Sequence, residues 1–240
     1  MAMDNMYKIR EILIEKIQKF CFNRGFHKVV IGMSGGKDST VAAALCARAL
    51  GESNVYGLIM SDGEQKDIND AITACKILKI PYDIINIKNL HEEFLDIVTL
   101  PYNKESDINV VPRLRMTILR YYAQTMNALV CGTGNLSELT VGYFTLHGDG
   151  SYDFNPLGAL TSLEVQELGD TLALPSSLVW KTPADGLSGQ TDEERLGVSY
   201  QAIHNYLRHG YITKEDVAKI EAMRDKTSFK RRMPTILDWR

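Results

Sequence analysis

Val29-Val30-Ile31-Gly32-Met33-Ser34-Gly35-Gly36-Lys37-Asp38-Ser39, running on into the alanine-rich stretch Thr40 to Leu50, reads as a strand, a glycine-rich turn and a helix. The β-branched run Val29 to Ile31 suits a pleated, buried strand, the glycines free the backbone to turn, and Gly51 stands where a helix ends. Outward from this unit the pattern repeats: Val55 to Met60 and Tyr82 to Ile87 read as strands, with helices at Asp67 to Leu78 and Leu90 to Leu100. Helix follows from about Val111 to Met126, and Ala128 to Cys131 makes a fourth short strand. Upstream, Ile9, Ile12, Leu13, Ile17, Phe20 and Cys21 recur at helical spacing before Gly25. The class is therefore α/β, a parallel sheet flanked by helices on both faces in a Rossmann-like arrangement, with ligands expected at the carboxyl ends of the strands.

Two loops lie at such strand ends, one after Ile31 and one after Cys131. The first places backbone N–H groups and a helix N-terminus where an anion can bind. It is not the common lysine-serine phosphate loop, because Ile31 stands where that motif has its first glycine and Asp38 follows Lys37 where it has Ser or Thr. A carboxylate about 4 Å from a phosphate charge costs about 4 kcal/mol at an effective dielectric of 20, and a helix terminus returns only about 0.3 to 2 kcal/mol. Asp38 in a phosphate loop therefore implies a cation, most naturally Mg²⁺ with its oxygen ligands. Ser34 and Ser39 can donate hydroxyl hydrogens to phosphate, while Gly35 and Gly36 allow close approach. The competing reading is a glycine turn with Asp38 as an ordinary helix cap.

The whole string Ser34-Gly35-Gly36-Lys37-Asp38-Ser39 resembles the SGGxDS loop of the N-type ATP pyrophosphatases, which have the adenine nucleotide alpha hydrolase-like fold. A second string, Gly132-Thr133-Gly134-Asn135-Leu136-Ser137-Glu138, with Gly142-Tyr143-Phe144-Thr145 and Gly148-Asp149-Gly150, is similar to the signature of the NAD synthetase family within that group. The likeness runs on through Asp153, Asn155-Pro156, Lys181-Thr182-Pro183 and Gly189 to Glu193, and includes Asn109 with Arg113, Arg115 and Met116. It implies a ligase that adenylates deamido-NAD with ATP and amidates it with ammonia, giving NAD, AMP and pyrophosphate.

The same resemblance assigns roles. Gly32, Met33, Ser34, Gly35, Gly36, Lys37, Asp38, Ser39, Thr133 and Ser162 would bind ATP; Asp38 and Glu138 would hold Mg²⁺; Arg113, Asp153 and Lys230 would bind deamido-NAD. Asp38 and Asp149 would be catalytic, with Asp149 attracting ammonium and helping to deprotonate it. Read alone, Ser137-Glu138 is also a helix start, Arg113 a surface arginine, and the acids among glycines turn residues. Three positions depart from many relatives: Leu146 where a lysine to deamido-NAD is common, Ser162 where a lysine to ATP phosphates is common, and Ala184 where a hydroxyl is common. Lys37 is expected to compensate for Ser162.

Composition fits small-molecule work. With 27 basic and 30 acidic residues in 240, the net charge of −3 gives no field suited to nucleic acid or membrane. The polar start and the lack of a long apolar run point to a cytoplasmic protein. Cys21, Cys46, Cys75 and Cys131 read as buried reduced thiols, and the five histidines show no zinc spacing. One NAD synthetase domain is expected over 1–240, with a mobile loop at about 181–190, a helix begun by Thr191-Asp192-Glu193-Glu194, and a tail at about 226–240 that closes on substrate. The length leaves no room for the amidase domain of glutamine-dependent relatives, so free ammonia is the expected donor. The family implies a homodimer, for which Tyr121, Tyr122 and Met126 offer apolar surface. The rival readings are a tRNA-modifying pyrophosphatase and a nucleotide-binding protein without catalysis.

Overall fold

A computed structural model of the chain describes residues 2–65, 67–181 and 191–237. Its centre is a parallel sheet of four strands, β1 (Lys28–Gly32), β2 (Val55–Ser61), β3 (Tyr82–Asn86) and β4 (Ala128–Cys131), in the order β3-β2-β1-β4. Val29 and Ile31 pair with Leu129 and Cys131, so the carboxyl ends of β1 and β4 lie level. From β1 the chain moves one way to β2 and later returns to the other side as β4. That reversal opens a crevice at the strand ends where α/β sheets bind ligands.

Alternation along β1 fills both faces. Val29 and Ile31 join a core with Ile17, Val41, Leu45, Val165 and Leu168, supplied by the helices α1 (Ala2–Phe22), α2 (Lys37–Leu50) and, further along, Ser162–Thr171. Val30 faces the opposite way, into a core with Leu58, Met60, Val130, Met116 and Leu119. The helices α3 (Ile68–Leu78), α4 (Lys88–Ile97), α5 (Lys104–Ile108) and α6 (Val110–Met126) complete the crossovers, and α6 lays Val111, Met116, Leu119 and Ala123 into that second core. The expected strands and helices are all present within a few residues. The helix forecast from Leu90 begins earlier, at Lys88, and stops at Ile97, leaving Val98 to Leu100 outside it.

The span after β4 is less loop-like than its glycines suggest. It winds α7 (Leu136–Val141) from a capping box in which Asn135 accepts from the Glu138 N–H and Glu138 accepts from the Asn135 N–H. The remaining helices are α8 (Ser162–Thr171), α9 (Ser176–Val179), α10 (Asp192–Leu196), α11 (Tyr200–Arg208) and α12 (Lys214–Lys226). Helix α10 starts as the acidic run implied, capped by Thr191 and Glu194. Val141, Val198, Tyr200, Ile203 and Ile220 pack α7, α11 and α12 into a small third core beside the crevice. All four cysteines are free and buried, as expected, and burial pushes the Cys75 thiol up to about 12. No helix among the described residues is long and apolar enough to cross a membrane.

Candidate active site

The loop after β1 begins with Met33 N–H donating to Leu58 O at 2.8 Å, which continues the sheet by one bond. Gly35 then takes φ +81°, and a Cβ there would run into the Asp67 backbone, so the turn requires glycine. The cap of α2 is Gly36, in extended conformation, and Asp38 is the second helical residue, so the helix-cap reading of Asp38 does not hold. The Ser34 and Ser39 hydroxyls lie 3.1 Å apart, and the Ser39 hydroxyl also donates to Gly36 O, which ties the loop into a ring around its own amides.

Asp38 is joined to the second loop through Asn135, whose Nδ2 donates to Asp38 Oδ1 at 3.2 Å while its Oδ1 accepts from Glu138 N–H at 3.1 Å. Glu138 is thus both a capping residue and a wall of the cavity, and the two readings of it are compatible. Burial, and then the neighbouring Asp38, push the Glu138 carboxyl well above the usual carboxylate range. Lys37 turns inward, only 3% exposed, with its Nζ 2.8 Å from Asp38 Oδ2. Burial works against that ammonium, but Asp38, Glu138 and Asp192 outweigh it and hold its pKa above the ordinary lysine value.

These groups line one cavity of about 540 Å³ that runs along the crevice. Gly32, Met33, Ser34, Gly36, Lys37, Asp38 and Ser39 form one side, and Gly132, Thr133, Gly134 and Glu138 the other. Gly132 packs flat on the Tyr152 ring, where a side chain would collide. At the far end, Asp149 lies with Lys230 and Arg115. Its carboxylate accepts from Thr145 N–H at 2.9 Å. Burial raises the Asp149 pKa, while the Thr145 and Asp149 N–H groups, Lys230 and Arg115 pull the other way. Lys230, carried by the short turn Ser228–Arg231, donates to Phe144 O at 2.6 Å and Gly142 O at 2.9 Å.

Four expected site residues lie off this lining. Gly35 packs behind the loop, against Asp67. Ser162 is buried at the first position of α8, its N–H donating to Ser137 Oγ at 3.2 Å. Arg113 is exposed, donating through Nε to Leu146 O at 3.3 Å. Asp153 pairs with Arg120 at 2.6 Å and accepts from Val130 N–H at 2.7 Å. Of the proposed dimer surface, Tyr121 is exposed, but Tyr122 donates to Asp83 and packs with Met126 against the second core. Ala184 and the loop at 182–190 fall outside the described residues, as do the last three residues of the tail; Lys181 is described and binds Asp67 and Asp70.

Two further residues belong to the lining. Asp192 is buried and accepts from the hydroxyls of Tyr200, at 3.0 Å, and Tyr143, at 3.3 Å. Its signal in the sequence was spare acidity: Glu194 does the capping, and Asp192 faces inward. Arg115 reaches the cavity between Gln65 and Asp149, with a buried Nε that no group among the described residues accepts from.

Whether these residues suit a divalent cation follows from their chemistry. Asp38 and Glu138 offer carboxylate oxygens to the same cavity, and an ammonium already lies against one of them. Among the described residues no three acidic, His or Cys side chains close into a metal cage. Mg²⁺ is usually held by one or two carboxylates together with substrate phosphates, and Asp38 and Glu138 offer such a pair.

Known proteins resemble this chain over most of its length. The chain is 38% identical to the NH3-dependent NAD+ synthetase of Pyrococcus horikoshii, over 92% of each chain. Its structure is similar to that of NMN synthetase from Francisella tularensis, with a TM-score of 0.92, 34% identity and coverage of 98% and 99%. It is also similar to NH3-dependent NAD synthetase from Campylobacter jejuni, with a TM-score of 0.82, 32% identity and coverage of 97% and 99%. Residues 8–234 match the family described as NAD synthase, and the chain belongs to that family.

Proposed function

We propose that this protein is a ligase that adenylates the nicotinate carboxylate of deamido-NAD with ATP and amidates it with ammonia, forming NAD, AMP and pyrophosphate. The observation that carries this reading is that a phosphate loop, an acid pair and a second, separate acid share one cavity at the switch point of the sheet. The loop amides, Ser34, Ser39 and Lys37 are proposed to take the phosphates, with Gly32, Met33, Gly35 and Gly36 shaping their seat. Thr133 and Ser162 are proposed to bind ATP beside them. Asp38 and Glu138 would hold Mg²⁺, which when bound supplies positive charge to phosphate oxygens.

At the other end, Asp149 is proposed to attract ammonium and accept its proton, so that the neutral amine attacks the acyl-adenylate carbon and AMP departs. Lys230 closes that end from the tail, while Arg113 and Asp153 are proposed to bind deamido-NAD from outside the cavity wall. No side chain need become a covalent nucleophile, because positioning and charge supply the catalysis. We place the enzyme in the cytoplasm as a single-domain homodimer, with Tyr121 on the shared surface.

A second reading is favoured by the similarity to the Francisella protein: the same chemistry on nicotinate mononucleotide. Purified protein given ATP, Mg²⁺, ammonium and each acid in turn decides between them. A higher kcat/KM for deamido-NAD, with equal yields of NAD, AMP and pyrophosphate, is expected. Preference for the mononucleotide would transfer the assignment, and binding of ATP with no pyrophosphate from either acid would overturn both.

A further inference from the structure

Lys37 is out of place as a surface residue. It opens α2, and neighbours one position apart on a helix ordinarily diverge by about 100°, so adjacent side chains do not face each other. Here the Lys37 stem nevertheless folds back until its Nζ sits 2.8 Å from Asp38 Oδ2. Its side chain is only 2% exposed, and the Nζ lies 5.6 Å from the centre of the Tyr200 ring. The Tyr200 hydroxyl is turned away, donating to Asp192. Glu138 and Asp192 act on the ammonium through space. Three carboxylates from three separate segments thus converge on one lysine, which supplies the charge their burial demands.

We propose that Lys37 is a resident counter-ion that occupies the cation seat at Asp38 and Glu138 while the site is empty, and yields it when a divalent metal arrives with ATP. This rests on the magnesium reading above. The physical case is competition for the same oxygen. Asp38 has one oxygen taken by Asn135 and the other by Lys37, so a metal must displace a charge-assisted bond to reach it. A flexible four-carbon stem lets the ammonium swing by rotation of its outer torsions, toward the phosphates entering beside it. The enzyme therefore holds Asp38 paired before substrate binds. Free metal is refused, and metal bound to ATP, which offers the lysine new partners, is accepted.

The test measures metal and not turnover. Mn²⁺ is titrated by electron paramagnetic resonance into the intact protein and into Lys37→Met, without nucleotide and with a non-hydrolysable ATP analogue. Without nucleotide, the variant is expected to bind Mn²⁺ about ten- to a hundredfold more tightly, the equivalent of one lost charged hydrogen bond. With the analogue the order reverses, because the variant lacks the phosphate partner. Equal or weaker Mn²⁺ binding by nucleotide-free Lys37→Met would overturn the proposal alone. Failure of both proteins to bind Mn²⁺ even with the analogue would remove the magnesium reading and this proposal with it. Should the variant not fold, the wild-type protein answers: the ammonium resonance of ¹⁵N-labelled Lys37 is protected in the empty enzyme and must shift when Mg²⁺ and the analogue are added. A resonance that stays unmoved would count against the exchange.

Discussion

The two ends of the cavity use buried carboxylates under opposite conditions. At the phosphate end, Glu138 has another acid, Asp38, as its strongest charged neighbour, and Asp192 and Lys37 complete the group. At the other end, Asp149 lies between two cations, Lys230 and Arg115. Burial raises the pKa of both Glu138 and Asp149. The difference lies in the balance of charge: the first end sets three acids against one ammonium, while the second sets one acid against two cations. Both groups of charges line one cavity of about 540 Å³.

The largest effect should come from emptying the acid-rich end. Asp38→Asn or Glu138→Gln is expected to lower kcat/KM about a thousandfold, or about 4 kcal/mol, with pyrophosphate release lost along with amidation. Activity of either variant within about tenfold of wild type would erase the distinction between the ends. Next, Asp149→Asn should reduce the amidation rate at saturating ammonia about a hundredfold while leaving pyrophosphate exchange intact. A normal amidation rate in that variant would take Asp149 out of the chemistry.

The pH profile separates the ends further. Asp149 must be ionised to accept a proton, and burial raises its pKa, so the amidation rate should fall as pH drops through a value above the ordinary aspartate range. With the rate referred to free ammonia, that acid limb should vanish in Asp149→Asn; a limb that persists would assign it to another group. Asp153, four residues away, offers the contrast of an acid fixed by Arg120 and a strand N–H. Asp153→Asn should lose about 1 to 3 kcal/mol in denaturant melts and raise the KM for deamido-NAD several-fold. Lower stability with KM unmoved would leave it as an anchor of β4 only.

The smallest effect should come from a pair belonging to neither end. Arg208 makes two bonds of 2.7 Å to Glu164 at the start of α8. Burial opposes the Glu164 carboxylate, but Arg208 and the Thr161 N–H hold its pKa below the usual value. Folded-state depression means the stabilisation is present above the unfolded carboxylate range and is lost as pH falls through the lower folded value. Because Arg208 is partly open to solvent, Arg208→Ala should cost only about 1 kcal/mol at neutral pH, with kcat unchanged.

Much of this was legible in the sequence where a local rule decides. β-branched runs located the strands, and the glycines from Gly32 to Gly36 marked the turn between β1 and α2. Arg115 and Asp192 escaped because their roles depend on which way a helix faces after packing. Arg115 shares α6 with Arg113, two positions away, and only the packing of α6 on the sheet sends one inward and the other out. Asp149 and Asp153 look alike among their glycines, and the hydrogen bonds that separate them come from Thr145 and from β4. Of helix α7 only the start at Ser137-Glu138 could be read, because its six residues are too few to show a period.

That short helix has a thermodynamic consequence. Six residues cannot hold a helix in water unaided, so α7 persists through its capping box and the small third core. Asn135, which starts the helix, is also the residue that connects Asp38 to Glu138. Winding of α7 and assembly of the acid pair are therefore one equilibrium, and whatever binds the pair must also slow the opening of the helix. Amide hydrogens of Leu139 and Thr140 should exchange more slowly when the cavity is filled, although neither residue lines it.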